Sequence, residues 1–321
     1  MKNKNGIAVT AVCVVIVLAL GALAFVFGRT VLSENQRGTL KLLLIVCGCA
    51  AAYCFTVGEL AGNYSQMDKL WSLLPIAYTW IIAIRGGMQL RLVLFALIVT
   101  AWGIRLTVNF ARKGAYSLKF WDGVEDYRWA IVRESSILKR RALWLLFDLF
   151  FISIYQNLLV LGICLPALAC MDSAAPFGAV DALAALFAIG FLVLETVADE
   201  QQWRFHETKK KLLSGGRKLE ELPAPYDLGF NTTGLWGRMR HPNYLGEQGI
   251  WLSLYFFAVG AGAARMGVFN WTMLGSLLLI LLFIGSSSLG ESISAGKYPK
   301  YSSYQRRVMK YLPVRKFKRE N

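Results

Sequence analysis

Long apolar runs separated by basic segments constrain this chain more than any other feature of its sequence. An α-helix needs roughly 20 predominantly apolar residues to cross a bilayer. Eight runs approach or reach that length: 6–28, 41–58, 70–84, 92–110, 142–164, 177–198, 248–264 and 270–289. The pattern predicts an all-α fold, a polytopic transmembrane bundle of seven to eight helices.

The composition excludes most soluble classes of protein. Charged residues make up 17% of the chain and hydrophobic residues 56%, whereas soluble domains carry about 25% charged residues. A soluble Rossmann enzyme, a secreted disulfide scaffold and a disordered chain are therefore excluded. The net charge is +15, but the basic residues lie between apolar runs. We expect them to face anionic membrane lipids and an anionic cofactor, and no nucleic acid.

The basic segments also predict the orientation in the membrane. Lys and Arg are concentrated in loops 111–141 and 199–240 and in the tail 296–321. Eight crossings with both ends inside place all three segments in the cytosol by the positive-inside rule. Four arginines fall on the opposite side in this scheme: Arg29, Arg37, Arg85 and Arg91.

The cysteines and histidines do not predict a metal site. The chain has six cysteines, all in or beside apolar runs, where they act as small hydrophobic residues. His206 and His241 are the histidines of the sequence, and neither has the spacing of a zinc motif.

The segment ETVADEQQWRFH, which starts at Glu195, continues an apolar run directly into charge. Glu195, Asp199, Gln202 and His206 recur at helical spacing and so share one face. Carboxylates at membrane depth usually face the bundle interior or a wet cavity, which favours a polar pocket. The alternative is a solvated helix end, which suits Glu200 better than Glu195.

The segment GLWGRMRHPNYLGEQGIW places cations just before Pro242. Proline suits the first turn of a helix. Arg238, Arg240 and His241 would then crowd a helix N-terminus, where free N–H groups and the helix dipole favour an anion such as a phosphate.

Within the same segment, Asn243, Glu247 and Trp251 follow at four-residue spacing. A positive-inside flank would explain the arginines but not this amide and carboxylate, which are typical hydrogen-bonding partners for a ligand. We predict that the face carrying Asn243 and Glu247 meets the face carrying Glu195 and Asp199, because both polar stripes then avoid lipid.

Near the C-terminus, Tyr298, Tyr301 and Tyr304 recur every three residues beside Arg306 and Arg307. Aromatic rings and arginines can hold a nucleotide by stacking and ion pairing. An interfacial amphipathic helix has the same pattern. The spacing leaves both interpretations open.

Six segments in order resemble the DUF1295 proteins, bacterial relatives of the steroid 5-alpha-reductase family. They are WGIRL, EDYRW, the segment around Gln156, ETVADEQQWRF, GLWGRMRHPNYLGE and YPKYSSYQRRVMKYLP, and NYSQMDKLWSLLPIAY is similar to the family's opening segment. The resemblance runs from about Asn63 to Pro313. It implies an extra transmembrane helix and loop in residues 1–40, before a reductase-like membrane domain over 41–321.

The resemblance implies NADPH bound from the cytosolic side of a bacterial inner membrane, without a Rossmann fold. It implies an oxidoreductase that acts on CH–CH groups in lipid metabolism and transfers a hydride to a lipophilic, steroid- or isoprenoid-like enone. By motif match, five residues would contact the cofactor: Glu195, Asp199, Asn243, Tyr244 and Glu247. Supporting or phosphate contacts would come from Arg105, Arg238, Arg240 and His241. On the basis of their spacing beside arginines, we add Tyr301 and Tyr304 as candidate nucleotide contacts.

The chain departs from the family pattern at the proposed acid. Trp102 stands where the steroid reductases place a tyrosine, and an indole donates a hydrogen bond but delivers no proton. Asp68 is the nearest acid in the opening segment. These two residues are the candidate catalytic positions, with the substrate left open.

Two other functions remain possible on the sequence. The motif RHPNY also occurs in isoprenylcysteine carboxyl methyltransferases, which use S-adenosylmethionine, but WGIRL and EDYRW fit the reductase-like branch. A non-catalytic membrane protein leaves both polar stripes unexplained.

Overall fold

The computed structural model describes residues 31–134, 137–263, 268–313 and 317, with residues 19, 22 and 26 as isolated positions. Apart from those three positions, the predicted span 6–28 lies outside the described residues. Within the described ranges the chain is helical, which confirms the predicted all-α class.

The elements follow one another as a series of helices joined by loops of different lengths. In chain order they are α1 (Glu34–Ala61), α2 (Gln66–Leu70), α3 (Leu73–Arg85), α4 (Leu90–Ala111), α5 (Tyr127–Arg133), α6 (Arg141–Phe147), a π-helix (Asp148–Tyr155), α7 (Gln156–Cys170), α8 (Ala179–Ser214), three 3-10 turns (Leu219–Glu221, Tyr226–Leu228 and Gly234–Gly237), α9 (Pro242–Gly260), α10 (Met273–Lys297) and α11 (Tyr301–Arg307).

Five helices in the described part of the chain are long and apolar enough to cross a membrane. They are α1, α4, the continuous helix Arg141–Cys170 that contains the π-helix, α8 and α10. The 13-residue helix α3 is apolar but shorter. The chain is thus a membrane protein, and the count of seven to eight spans stays a prediction.

The chain divides into two compact units, each with its own packing. The first unit comprises residues 1–188 and 251–281, and the second comprises residues 189–250 and 282–321. The boundary that the resemblance placed at residue 40 falls inside α1, and the two-part organisation around it stays a prediction.

Large aromatic side chains and close glycine contacts fill the first unit. Trp102 packs edge-on against Trp251 with ring centroids 5.0 Å apart, a favourable arrangement of aromatic quadrupoles. On α10, Gly275 lies so close to α7 that an added Cβ would come within 2.3 Å of the Gly162 backbone. Such small residues let membrane helices approach each other closely.

A buried ion pair in the first unit explains one arginine on the unexpected side of the membrane. The Arg91 guanidinium donates to both oxygens of Asp181, at 2.7 and 2.8 Å, and both side chains are almost fully buried. The charge counted as a loop cation is thus neutralised inside the protein. Arg85 is also engaged, since its Nε donates to Thr39 Oγ1 at 2.7 Å.

Two features organise the second unit: an aromatic cluster and a short backbone pairing between two segments of the chain. Phe230 packs against Tyr301 and Tyr304, with ring centroids 4.9 and 5.4 Å apart. Met239 and Met309 form a parallel β-bridge. These contacts attach the segment after α10 to the loop that leads into α9.

Candidate functional site

The predicted meeting of the two polar stripes is confirmed in the second unit. Asn243 Nδ2 donates to Asp199 Oδ1 at 3.1 Å, joining the first turn of α9 to α8. The other amide atom, Asn243 Oδ1, is buried and accepts no hydrogen bond from the described residues. Buried acceptors are normally satisfied, so this oxygen is positioned for a donor that the described residues do not supply.

Two carboxylates lie deeper on the same stripes. Glu195 is 4% exposed and Glu247 is 3% exposed. The helices that carry them are in close contact, because a Cβ added to Gly246 would lie 2.6 Å from the Glu195 Cβ. Carboxylates at this depth are costly unless they are paired or bind a ligand. Gly246 was missed by the sequence reasoning, although a glycine between two polar positions is a signal of close helix packing.

The loop before α9 is held against α8 by hydrogen bonds. The amide N–H of Leu235 donates to Gln201 Oε1 at 2.9 Å, and Trp236 Nε1 donates to the Ala198 carbonyl at 2.9 Å. Gly234 has a φ of +56°, and an added Cβ would lie 2.4 Å from Gln201 Oε1. This motif therefore fixes the start of α9 beside Asp199.

The structure places Arg240 in a dense internal network. Its guanidinium donates to Glu291 Oε1 at 2.7 Å and to Oε2 at 3.3 Å. It also donates to the carbonyls of Gln305 and Val308, at 2.7 and 2.6 Å. Most of its donors are thus used within the protein, where they anchor the C-terminal segment. A phosphate contact by Arg240 stays a prediction.

His241 and Gln305 complete this network around Glu291. His241 Nε2 lies 2.8 Å from Glu291 Oε1, and Gln305 Nε2 donates to Oε2 at 3.0 Å. The carboxylate therefore carries charge-assisted bonds at both oxygens. Glu291 was not among the predicted site residues, and its position at the end of the last apolar run was the signal available.

Four further predicted residues occupy distinct settings in the second unit. Arg238 is exposed, so its guanidinium is available to a ligand in water. The Tyr244 ring stacks on His241 with centroids 5.2 Å apart. Tyr301 and Tyr304 are buried with Phe230, and Tyr304 OH donates to the Trp236 carbonyl. Packing thus accounts for both C-terminal tyrosines, and their nucleotide contact stays a prediction.

The remaining predicted residues, Asp68, Trp102 and Arg105, lie in the first unit. Trp102 is fully buried on α4, and Arg105 is partly buried on the same helix. Asp68 Oδ2 accepts from Trp129 Nε1 at 2.9 Å. Burial raises the pKa of Asp68, the charge of Asp126 raises it further, and Arg128 and the Trp129 bond oppose the shift.

The opening motif and the loop 114–126 form an interface that sequence reasoning did not foresee. The buried Lys69 Nζ donates to the carbonyls of Phe120 and Asp122, at 3.1 and 2.6 Å. Tyr64 N donates to Glu125 Oε1 at 2.7 Å. Burial lowers the pKa of Lys69, against the raising effect of nearby aspartates. This interface, hereafter the loop clamp, uses the motifs NYSQMDKLW and EDYRW for structure.

The Asp126 side chain caps the N-terminus of α5 within the loop clamp. Its Oδ1 accepts from the Arg128 backbone N–H at 2.9 Å, which satisfies one of the free amides at a helix start. Burial alone would raise the pKa of Asp126, but the bonds and charge of Arg128 hold it below its usual value.

Comparisons with known proteins support the family resemblance. Residues 54–308 match the family model described as "Protein of unknown function (DUF1295)". An uncharacterized protein of the fission yeast Schizosaccharomyces pombe is 37% identical over 265 residues, which cover 78% of this chain and 73% of the relative. No solved structure matches the chain significantly.

The yeast relative also bears on localisation. Because this relative is eukaryotic, the comparisons give no support for a bacterial inner membrane. The apolar helices indicate a membrane protein without identifying the membrane. The matched region includes the loop clamp and the two polar stripes described above. By the extent of the family match and the similarity of the yeast protein, the chain belongs to the DUF1295 family.

Proposed function

We propose that this protein is an integral-membrane reductase that uses NADPH to reduce the carbon–carbon double bond of a lipophilic enone. The observation that carries the proposal is the Asp199–Asn243 pair at the start of α9, with Asn243 Oδ1 buried and without a donor among the described residues. A nucleotide cofactor offers the amide and hydroxyl donors that such an oxygen needs.

The chemistry of the surrounding groups is compatible with NADPH. Asn243, Asp199 and the buried Glu247 would supply hydrogen-bond acceptors for the carboxamide and ribose hydroxyls of the cofactor. Arg238 is exposed just before α9 and carries the positive charge that phosphates require. The start of a long helix adds a favourable dipole for anions. We place the cofactor site on the cytosolic side, because the basic loop 199–240 precedes it.

The residues of this chain would bind, orient and protect the reactants. Asp199 fixes the rotamer of Asn243, so that its free oxygen is oriented before the ligand binds. The apolar helices exclude water and admit a lipid-like substrate. Asp68 is the candidate acid, since its raised pKa favours the protonated carboxyl that a proton donor needs. When bound, NADPH would supply the hydride.

Binding of NADPH and S-adenosylmethionine to the purified full-length protein in detergent tests this proposal. We expect binding of NADPH and none of S-adenosylmethionine. The variant Asn243→Ala should lose about 1–3 kcal/mol of NADPH binding, a roughly ten- to hundredfold weaker affinity.

Arg204→Ala is the matched control, because Arg204 lies on α8, as Asp199 does, with its side chain 77% exposed and paired to Glu200. Its NADPH affinity should equal that of the wild-type protein. Tight binding of S-adenosylmethionine would instead assign the protein to the methyltransferases, and binding of neither ligand would favour a non-catalytic role.

A further inference from the structure

A second polar site, formed by Asp148 and Glu59, lies in the first unit. Asp148 begins the π-helix and is 1% exposed. Its Oδ2 accepts no hydrogen bond from the described residues and lies 3.9 Å from the position of a Cβ on Gly58 of α1. The carboxyl group is therefore directed at the turn of α1 that carries Glu59.

Glu59 follows Gly58 on α1, which brings its carboxyl group within electrostatic range of Asp148. Glu59 Oε2 is occupied, since it accepts from Arg141 in an ion pair. Glu59 Oε1 is buried and, like Asp148 Oδ2, receives no donor from the described residues. Two buried acceptor oxygens in this region thus lack a donor among the described residues, and Arg141 provides the cation for Glu59.

Two ionised carboxylates in contact repel each other strongly in a low-dielectric interior, and one of them is then kept protonated. The Arg141 ion pair stabilises the charged form of Glu59, so the proton belongs on Asp148. We propose that Asp148 is protonated in the folded protein and donates from Oδ2 to Glu59 Oε1, which makes this pair a proton-binding site within the membrane-spanning helices.

The π-helix provides the partner of the fourth carboxyl oxygen, Asp148 Oδ1. In a π-helix residue i+5 bonds back towards residue i, and this rare winding occurs frequently at functional sites. Ser153 is five residues after Asp148, and its Oγ donates to Asp148 Oδ1 at 3.3 Å. With the proton on Oδ2, all four carboxyl oxygens of Asp148 and Glu59 have a partner.

The charged and titratable groups around Asp148 and Glu59 are consistent with one proton shared by the two carboxyl groups. Cys54 of α1 lies near enough to interact electrostatically with Asp148, and Tyr64 OH accepts from Arg141 Nη1 at 3.2 Å. Arg133 of α5 lies over the Tyr64 ring, 5.7 Å from its centroid. The cation in direct contact with the pair is Arg141, which balances one carboxylate and not two.

Infrared spectra of the full-length protein in detergent, in H2O and D2O at neutral pH, test the proposal. We expect a carbonyl band of a protonated carboxyl that shifts in D2O and is lost in Asp148→Asn. Ser153→Ala should move the band to higher frequency, because Oδ1 loses its donor. This second variant keeps the test decisive if Asp148→Asn fails to fold.

Thermal unfolding separates a bound proton from a bound cation. Asp148→Asn can still donate to Glu59 and should keep the wild-type midpoint, whereas Asp148→Ala should lower it. A wild-type spectrum without the band would overturn the proposal. A midpoint that rises with sodium but not with choline would also overturn it and would indicate a cation between the two carboxylates.

Discussion

The loop clamp and the start of α9 are both built from family motifs, but they differ in how far their polar atoms are hydrogen-bonded within the protein. In the loop clamp, Lys69 and Glu125 each find protein partners. At the start of α9, Asn243 Nδ2 donates to Asp199, whereas Asn243 Oδ1 has no donor among the residues that the structure describes. The satisfied motif stabilises the fold, and the incompletely satisfied one is where a ligand can add its own bonds.

The largest effect is expected inside the second unit, where two neighbouring arginines separate structure from binding. Arg240→Ala should cost about 3–5 kcal/mol of unfolding free energy, because it leaves the carboxylate of Glu291 buried without its cation. Denaturant titration in detergent measures this loss.

Arg238→Ala is the matched comparison, since Arg238 is exposed two residues earlier. Its stability should change by no more than about 0.5 kcal/mol, while NADPH affinity falls and does so more at low salt than at high salt. Equal losses of stability in the two variants would contradict the assignment of Arg240 to the fold and of Arg238 to ligand binding.

The loop clamp should respond in stability alone. Lys69→Met keeps the apolar stem but leaves the carbonyls of Phe120 and Asp122 without their donor, at a cost of about 2–4 kcal/mol. The exposed Lys119→Ala is the control and should be neutral. An unaltered NADPH affinity in folded Lys69→Met is expected, and a changed affinity would show that the clamp contributes to binding.

Close packing of α8 and α9 is tested by a single added methyl group. Gly246→Ala should cost roughly 1–3 kcal/mol through overpacking, because the new Cβ meets the Cα and N of Glu195 at 3.0 Å. It should also weaken NADPH binding by displacing Asn243 from Asp199. Gly190→Ala on α8, where a Cβ meets nothing within 4 Å, should leave both measurements unchanged.

The smallest effect is a pH dependence at Asp68. Its pKa is raised by burial, so the folded protein holds this proton more tightly than the unfolded chain does. Stability from this group therefore rises as the pH falls from its raised pKa towards its unfolded value, and is absent at higher pH. Asp68→Asn should show a flatter pH profile of thermal midpoints, and an identical profile would contradict the assigned shift.

Much of the helical architecture could be predicted, since apolar runs report where lipid surrounds the chain. The run 92–110 corresponds to α4, Leu90–Ala111. The run 142–164 lies within the helix Arg141–Cys170 and covers most of it. The apolar run 177–198 covers only the first part of α8, which continues through the charged segment after Glu195, as its helical spacing predicted, to Ser214. Hydropathy detects the surrounding solvent, whereas helical winding continues through polar sequence as well.

The site was only partly accessible from the sequence. Helical spacing predicted that Asp199 and Asn243 would meet, because two polar stripes at membrane depth have few other places to go. The same spacing gave no indication that Arg240 would bind Glu291, which follows 51 residues later.

The sequence by itself determined that this chain is a helical membrane protein of the DUF1295 family, since apolar length and ordered motifs are local properties of the chain. Only the tertiary structure decided which polar groups are satisfied within the protein. That outcome depends on partners distant in sequence, as with Asp148 and Glu59 or Lys69 and the loop at Asp122. A buried hydrogen bond forms only where packing brings donor and acceptor within reach, and residue order does not encode that distance directly.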